Sequence, residues 1–322
     1  MSAMRRVLII GGETHIGEIT ALAGRCLEIV GGAVREEQLG AAGEQFACPV
    51  TTDWRQLLQD TPADLAAIAN ENDLKAEVIL AALDAGLDVV VDKPLGTRLE
   101  DQEAIESQLA AHPERRLLNL LTLRGDPLWR GMHDLVAAGE VGTATFAHVR
   151  MAVQLKRHAR PPWFLDSRRS GGLFLDLLIH GIDQVEWCTG RRIVAMAAVT
   201  GNLGDPQDQW LRDHAAVFCE LEGGGSALVE GQRMLPDTQG SDYRMTVVGT
   251  AGYADLGMRG GLALTNAGGA RQPITSLPEA RSVVADWLAG GELVPQEASL
   301  RANRLAILAT LAAERRERIA VE

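Results

Sequence analysis

The sequence predicts an α/β protein: a doubly wound parallel sheet at the N-terminus, then an α+β domain with a largely antiparallel sheet. Three observations predict it. Over residues 1–124 short apolar runs alternate with helical stretches, the pattern of buried parallel strands joined by crossover helices. From about residue 125 the rhythm changes to alternating, half-buried strands separated by Gly, Asp and Pro. The length, 322 residues, suits two domains at roughly 150 residues each.

Taken in order, Val7–Ile10 reads as a buried strand, followed by a glycine turn and a helix through Glu28. Ile29–Val34 is a second strand and Glu36–Phe46 a second helix. Leu65–Ala69 is strand-like, and Asp73–Ala85 is helical and closed by Gly86. Asp88–Val91, Leu99–Ala111 and Leu117–Leu121 continue as strand, helix and strand. Beyond 125, Leu128–Ala138 is a helix, Thr143–Gln154 a strand, 155–172 basic and irregular, and Leu173–Trp187 helical. Strands follow near 193–200, 214–222, 226–233 and 243–249, and helices over Pro278–Ala289 and Leu300–Arg318 close the chain. The expected domains are 1–124 and 125–322, with the last helix free to pack back on the first.

Composition narrows the functional classes. The net charge of −12, from 31 basic and 43 acidic residues, argues against a nucleic-acid backbone binder, which needs a basic face. No apolar run approaches a membrane helix, and Val7–Ile10 is too short for a secretory leader core. Cys26, Cys48, Cys188 and Cys219 form no Cys-x-x-Cys pair, so reduced thiols, a cytoplasmic location and no metal site are expected. Of the 31 basic residues only Lys75, Lys93 and Lys156 are lysines.

Four segments carry candidate chemistry. In the first turn, Gly11-Gly12-Glu13-Thr14-His15-Ile16-Gly17, Gly12 and Gly17 occupy the first and third places of a dinucleotide fingerprint, while Thr14 holds the middle one. Alone, this turn reads equally as an anion site or as a tight corner. The second strand lacks the acid that binds a ribose 2′-hydroxyl; Arg35 stands there, suited to a 2′-phosphate or simply a solvated surface residue.

Asp92-Lys93-Pro94 follows a strand at the sheet's carboxyl edge, where ligands of open parallel sheets bind. A lysine fixed there can exchange a proton, which arginine cannot. On a helix, Asp176, His180 and Asp183 share one face; the Asp–His pair is either an acid/base or a satisfied core cluster. The basic stretch 150–169, with Lys156 and Trp163, and Arg124 at the first domain's edge, are candidates for binding a polar or sugar-like substrate.

Together these pieces resemble the Gfo/Idh/MocA family of oxidoreductases. The marks are the strand–glycine turn, Asp92-Lys93-Pro94 where the family has Glu-Lys-Pro, and Gly171-Gly172 followed by Asp176 and His180. Ala138-Gly139-Glu140-Val141-Gly142 and the closing helix from Arg304 onwards extend the likeness over nearly the whole chain. The resemblance implies a Rossmann domain and a second domain with a large open sheet that forms dimers or tetramers. It implies hydride transfer between NAD or NADP and a sugar or cyclic polyol, with the missing ribose acid and Arg35 leaning toward NADP.

It makes Lys93 a proton partner, His180 the acid/base and Asp176 a ligand of substrate or histidine. It puts the cofactor at Gly11, Gly12, Thr14, His15, Ile16, Arg35, Ala69, Asn70, Asp92, Lys93 and Pro94. Thr14, the absent ribose acid and Ala69-Asn70-Glu71-Asn72 depart from the family pattern, all in the cofactor half. A non-catalytic sensor on the same scaffold and a transient-oxidation lyase or hydrolase remain the alternatives.

Overall fold

Apolar side chains decide where the chain turns into sheet. In the computed structural model, which describes residues 4–321 and leaves the side chain of Thr14 outside the description, the runs VLII, LAAI and VVV are buried almost completely. They form β1 (Arg5–Ile10), β4 (Leu65–Ile68) and β5 (Asp88–Val91), with β2 (Leu27–Ala33), β3 (Val50–Thr51) and β6 (Leu117–Asn119). The order is β3-β2-β1-β4-β5-β6, every pair parallel, so the sheet is doubly wound about β1. Its connections carry α1 (Gly17–Thr20), α2 (Leu39–Phe46), α3 (Trp54–Asp60), α4 (Lys75–Asp84) and α5 (Leu99–Ala111). The core lies between the sheet and helices such as α4, with Leu8, Ile68, Val78, Ile79, Val89 and Ile105 packed together.

The second sheet has nine strands. α6 (Pro127–Ala137) leads to β7 (Ala144–Ala152), then α7 (Pro162–Leu165), α8 (Ser167–Ser170) and α9 (Ile179–Thr189). β8 (Ile193–Gly201), β9 (His214–Leu221), β10 (Ser226–Gln232), β11 (Asp242–Gly249), β12 (Gly252–Gly257), β13 (Gly261–Asn266) and β14 (Arg271–Ile274) follow. The chain ends with α10 (Val283–Leu288), α11 (Gln296–Arg315) and β15 (Ile319–Ala320). The sheet order is β14-β13-β12-β11-β7-β10-β9-β8-β15; only β7 and β10 pair parallel. α9 lies on one face, so closely that a Cβ on Gly181 would press on Val149 and Val229.

Two compact units result: residues 1–121 with 282–303, and 122–281 with 304–322. The late segment joins the first unit through specific hydrogen bonds. Leu95 N donates to Asn303 Oδ1 at 2.8 Å, and Asn119 N donates to Ser299 Oγ at 3.0 Å. No helix of the described residues is long and apolar enough to cross a membrane, and none of their His, Cys, Asp and Glu side chains group to hold a metal.

Several expected elements differ. The helix expected to run through Glu28 stops at Thr20, and β2 starts at Leu27. With so few residues between β1 and β2, Gly24 takes a left-handed φ of 73° in the turn where a longer helix would continue. β3 and α3 were not expected; Asp53 caps α3, accepting from the backbone N–H of Arg55 and Gln56. The hairpins β12–β14 were also unforeseen. The expected helix over Leu173–Trp187 begins instead as a π-helical turn, Phe174–Leu178, before α9.

Candidate functional site

Each unit carries its own cluster of the expected residues. In the first unit these lie at the carboxyl ends of the strands. Gly11 follows β1 with φ 90°, and a Cβ there would collide with the Ala69 carbonyl and the Asn70 amide, so only glycine lets the loop after β4 pass this close. Glu13 N donates to Ala69 O at 3.1 Å and ties the two loops together.

Asp92, at the end of β5, is buried and faces His15, with Nδ1 and Oδ1 2.6 Å apart. Burial pushes the Asp92 carboxyl up, but the hydrogen bond and charge of His15, with Lys75 and Lys93, outweigh it and hold it well below the usual carboxylate range. The following Lys93–Pro94 bond is cis, and Lys93 is buried. Lys75, the first residue of α4, is only 1% exposed. Its Nζ donates to Asp92 O at 2.7 Å, Asn72 Oδ1 at 3.1 Å and Lys93 O at 3.5 Å. Two of the three lysines therefore serve one loop: Lys93 stands on it and Lys75 fixes its backbone.

A cleft of about 380 Å³ opens at the carboxyl ends of β1, β2 and β4, lined by Gly11, Glu13, Val34, Arg35, Asn70 and Glu71 among others. Arg35, expected to meet a 2′-phosphate or to be solvated, is ringed by carboxylates. It pairs with Glu37 at 2.7 Å, Glu13 at 3.0 Å and Glu71 at 3.6 Å. Gln38 also donates to Glu13 at 3.2 Å. Burial raises the Glu13 carboxyl above its ordinary value despite Arg35 and Gln38. Asn70 Oδ1 is buried with no partner among the described residues. The two carboxylates at the rim suit a group with hydroxyl donors, such as a ribose.

Ile16 is buried in the core, and Gly12 faces the Gln38 side chain. With α1 only four residues long, the turn offers backbone N–H groups but little macrodipole, so it is a weaker anion site than expected.

In the second unit, His180 lies on the first turn of α9 and is buried. Asp176 stands in the π-helical turn before it, an irregularity frequent at functional sites. The polar face expected of Asp176, His180 and Asp183 is divided between two arginines. Asp176 pairs with Arg233, at the end of β10, while Asp183 takes Arg124 in a two-point pair at 2.7 and 3.0 Å.

Arg124, expected to bind substrate, is thereby committed: it is buried, paired with Asp183 and lies over the Trp187 ring at 5.2 Å. Trp163, expected as a stacking platform, is buried edge-on to Phe164, while Lys156 is exposed with a left-handed φ of 49°. Arg233 lies over the Phe164 ring at 4.6 Å and was not anticipated. Neither were Tyr243, pushed up by burial and the Asp176 charge, and Glu13 as a site residue. A larger cleft of about 480 Å³ in this unit, bounded by Trp210, Arg212 and Glu314, includes neither Asp176 nor His180.

With this geometry in place, comparison with known proteins defines the class. The family described as "Oxidoreductase family, NAD-binding Rossmann fold" matches residues 5–118, and the "GFO/IDH/MocA C-terminal domain" matches residues 129–255. The chain belongs to the Gfo/Idh/MocA oxidoreductases. It is similar to inositol 2-dehydrogenase 3 of Saccharopolyspora erythraea, 24% identical over 84% of this chain and 78% of that one. An uncharacterized oxidoreductase, YrbE, of Bacillus subtilis is 27% identical, but the match covers 64% of this chain and only 58% of that relative. Among solved structures, myo-inositol 2-dehydrogenase from Lactobacillus plantarum superposes with a TM-score of 0.81 at 20% identity, covering 99% of this chain and 100% of that one. Levoglucosan dehydrogenase with NADH and L-sorbose gives 0.82 at 17% identity, covering 99% and 100%. At these identities the superpositions establish the fold.

Proposed function

We propose that the protein is an NAD(P)-dependent dehydrogenase or reductase acting on a CH–OH carbon of a sugar or cyclic polyol. The observation that carries this reading is Lys93, fixed at the carboxyl end of β5 by Lys75 and by the His15–Asp92 pair. NAD(P), when bound, supplies the acceptor or donor of the hydride. Lys93 binds the reacting oxygen, and its charge favours the alkoxide that develops there as the hydroxyl proton leaves. His180 accepts that proton in oxidation and returns it in reduction. Asp176 orients the substrate or the histidine, held by Arg233.

Inositol dehydrogenases among the relatives support a polyol substrate. We further infer a cytoplasmic homo-oligomer, dimer or tetramer, assembled through the second sheet, whose outer face exposes Val199, Phe218 and Tyr253. Light scattering on the purified chain tests the oligomer.

The test of the chemistry is turnover of Lys93→Met and His180→Ala against a panel of inositols and sugars. Each variant is expected to lose activity by at least about 10²-fold while keeping its far-ultraviolet dichroism. Near wild-type rates in both would reject the assignment.

A further inference from the structure

We propose that Glu13, on the glycine turn, takes over ribose recognition from the missing second-strand acid and makes the first unit select NAD over NADP. This rests on the dehydrogenase reading and deepens it by naming which cofactor the cleft accepts. Arg35 stands where an arginine would meet a 2′-phosphate, but three carboxylates, Glu13, Glu37 and Glu71, already surround it. The other charged pair at the cleft, Arg55 with Glu77, neutralises itself. Lys75 is committed to Asn72 and to the loop carbonyls. Counting Glu37, four carboxylates therefore surround the cleft against two guanidinium groups.

A 2′-phosphate adds a further charge of about −1.5 to −2 and would have to share Arg35, whose Nε and Nη1 already face Glu37, Glu13 and Glu71, and would be brought up against those carboxylates. A 2′-hydroxyl instead donates to a carboxylate that Arg35 and Gln38 hold in place. Arg35 is thus a positioning residue for Glu13, the reverse of the role its place in the sequence suggests. Asn70 lines the same cleft, and its Oδ1 is buried without a partner among the described residues.

The experiment is a fluorescence titration of the full chain with NADH and with NADPH, repeated with adenosine 5′-monophosphate and adenosine 2′,5′-bisphosphate as competitors. Wild type is expected to bind NADH at least about ten-fold tighter than NADPH, the scale of one charged hydrogen bond. Glu13→Gln is expected to weaken NADH, strengthen NADPH and bring the two within about three-fold, with Glu71→Gln shifting the ratio the same way by less. Equal or tighter NADPH binding by wild type overturns the inference, and so does an unchanged ratio in a folded Glu13→Gln. Binding of neither cofactor overturns the dehydrogenase reading itself. The wild-type comparison decides even if a variant does not fold.

Discussion

Lys75 Nζ lies 2.7 Å from the carbonyl oxygen of Asp92, the residue before Lys93. A buried ammonium is costly unless its hydrogen bonds are met, and this one meets Asn72 and two successive carbonyls of the loop. Lys75→Met keeps the volume and leaves those acceptors unmet. We expect a loss of about 1.5–3 kcal/mol in stability, the scale of hydrogen bonds to a charged group. If Lys93 binds the reacting oxygen as proposed, turnover should fall more than NADH affinity, because Lys93 stands on this loop. A urea midpoint within error of wild type, with turnover unchanged, would show that the loop holds its shape unaided.

Arg124 and Asp183 should act as structure. Both are buried and joined at two points, so removing one partner strands the other charge. Arg124→Met and Asp183→Asn are each expected to cost about 3–5 kcal/mol, whereas the double variant should cost well under their sum. Denaturation of the four proteins gives the coupling directly. Additive losses would mean that the pair does not stabilise α9. Loss of substrate affinity with stability intact would return Arg124 to the binding role first expected of it.

The central strands of the parallel sheet were legible because a strand covered on both faces has nowhere to put polar residues, and Val7–Ile10 and Val89–Val91 announce themselves. The short α1 was not: Ala21, Leu22 and Ala23 favour helix, but the chain must reach β2 by Leu27. Lys93 and His180 were legible as motifs. Their supports were not, since Arg233 is 57 residues from Asp176 and Lys75 is 17 from Asp92. Burial of a lysine is a property of the carbonyls it meets, and no local pattern records them. Arg35 shows the same limit: its place after β2 was legible, but the three carboxylates around it were not.

Asp176 and Arg233 give a prediction about chemistry rather than stability. Arg233 reaches Asp176 from the end of β10 and stacks near Phe164. Arg233→Met removes the Arg233 counter-charge from the carboxylate, beside a Tyr243 already raised by burial and by that carboxylate's charge. We expect kcat/KM to fall at least about ten-fold with NADH affinity unchanged, since the residues proposed to hold the cofactor lie in the first unit. Arg233→Lys should restore part of the loss. Equal loss in both variants, together with a lowered melting temperature, would make Arg233 a packing residue only.

The His15–Asp92 pair sets an acid limb. Burial raises Asp92, but His15, Lys75 and Lys93 together hold its carboxyl below the ordinary value, so the folded state binds this proton more weakly than the unfolded chain does. Its contribution is therefore full above the ordinary aspartate range, near pH 4, and is lost as the pH falls further. Asp92→Asn, of nearly equal size, should cost about 1.5–3 kcal/mol at pH 7, the scale of hydrogen bonds to a charged group. The gap between wild type and variant should narrow steadily below about pH 4, because acid removes from wild type what the substitution has already removed. Urea midpoints at pH 7, 5, 4 and 3 measure it. A gap that stays constant to pH 3 would mean that the Asp92 charge does not stabilise the loop that carries Lys93.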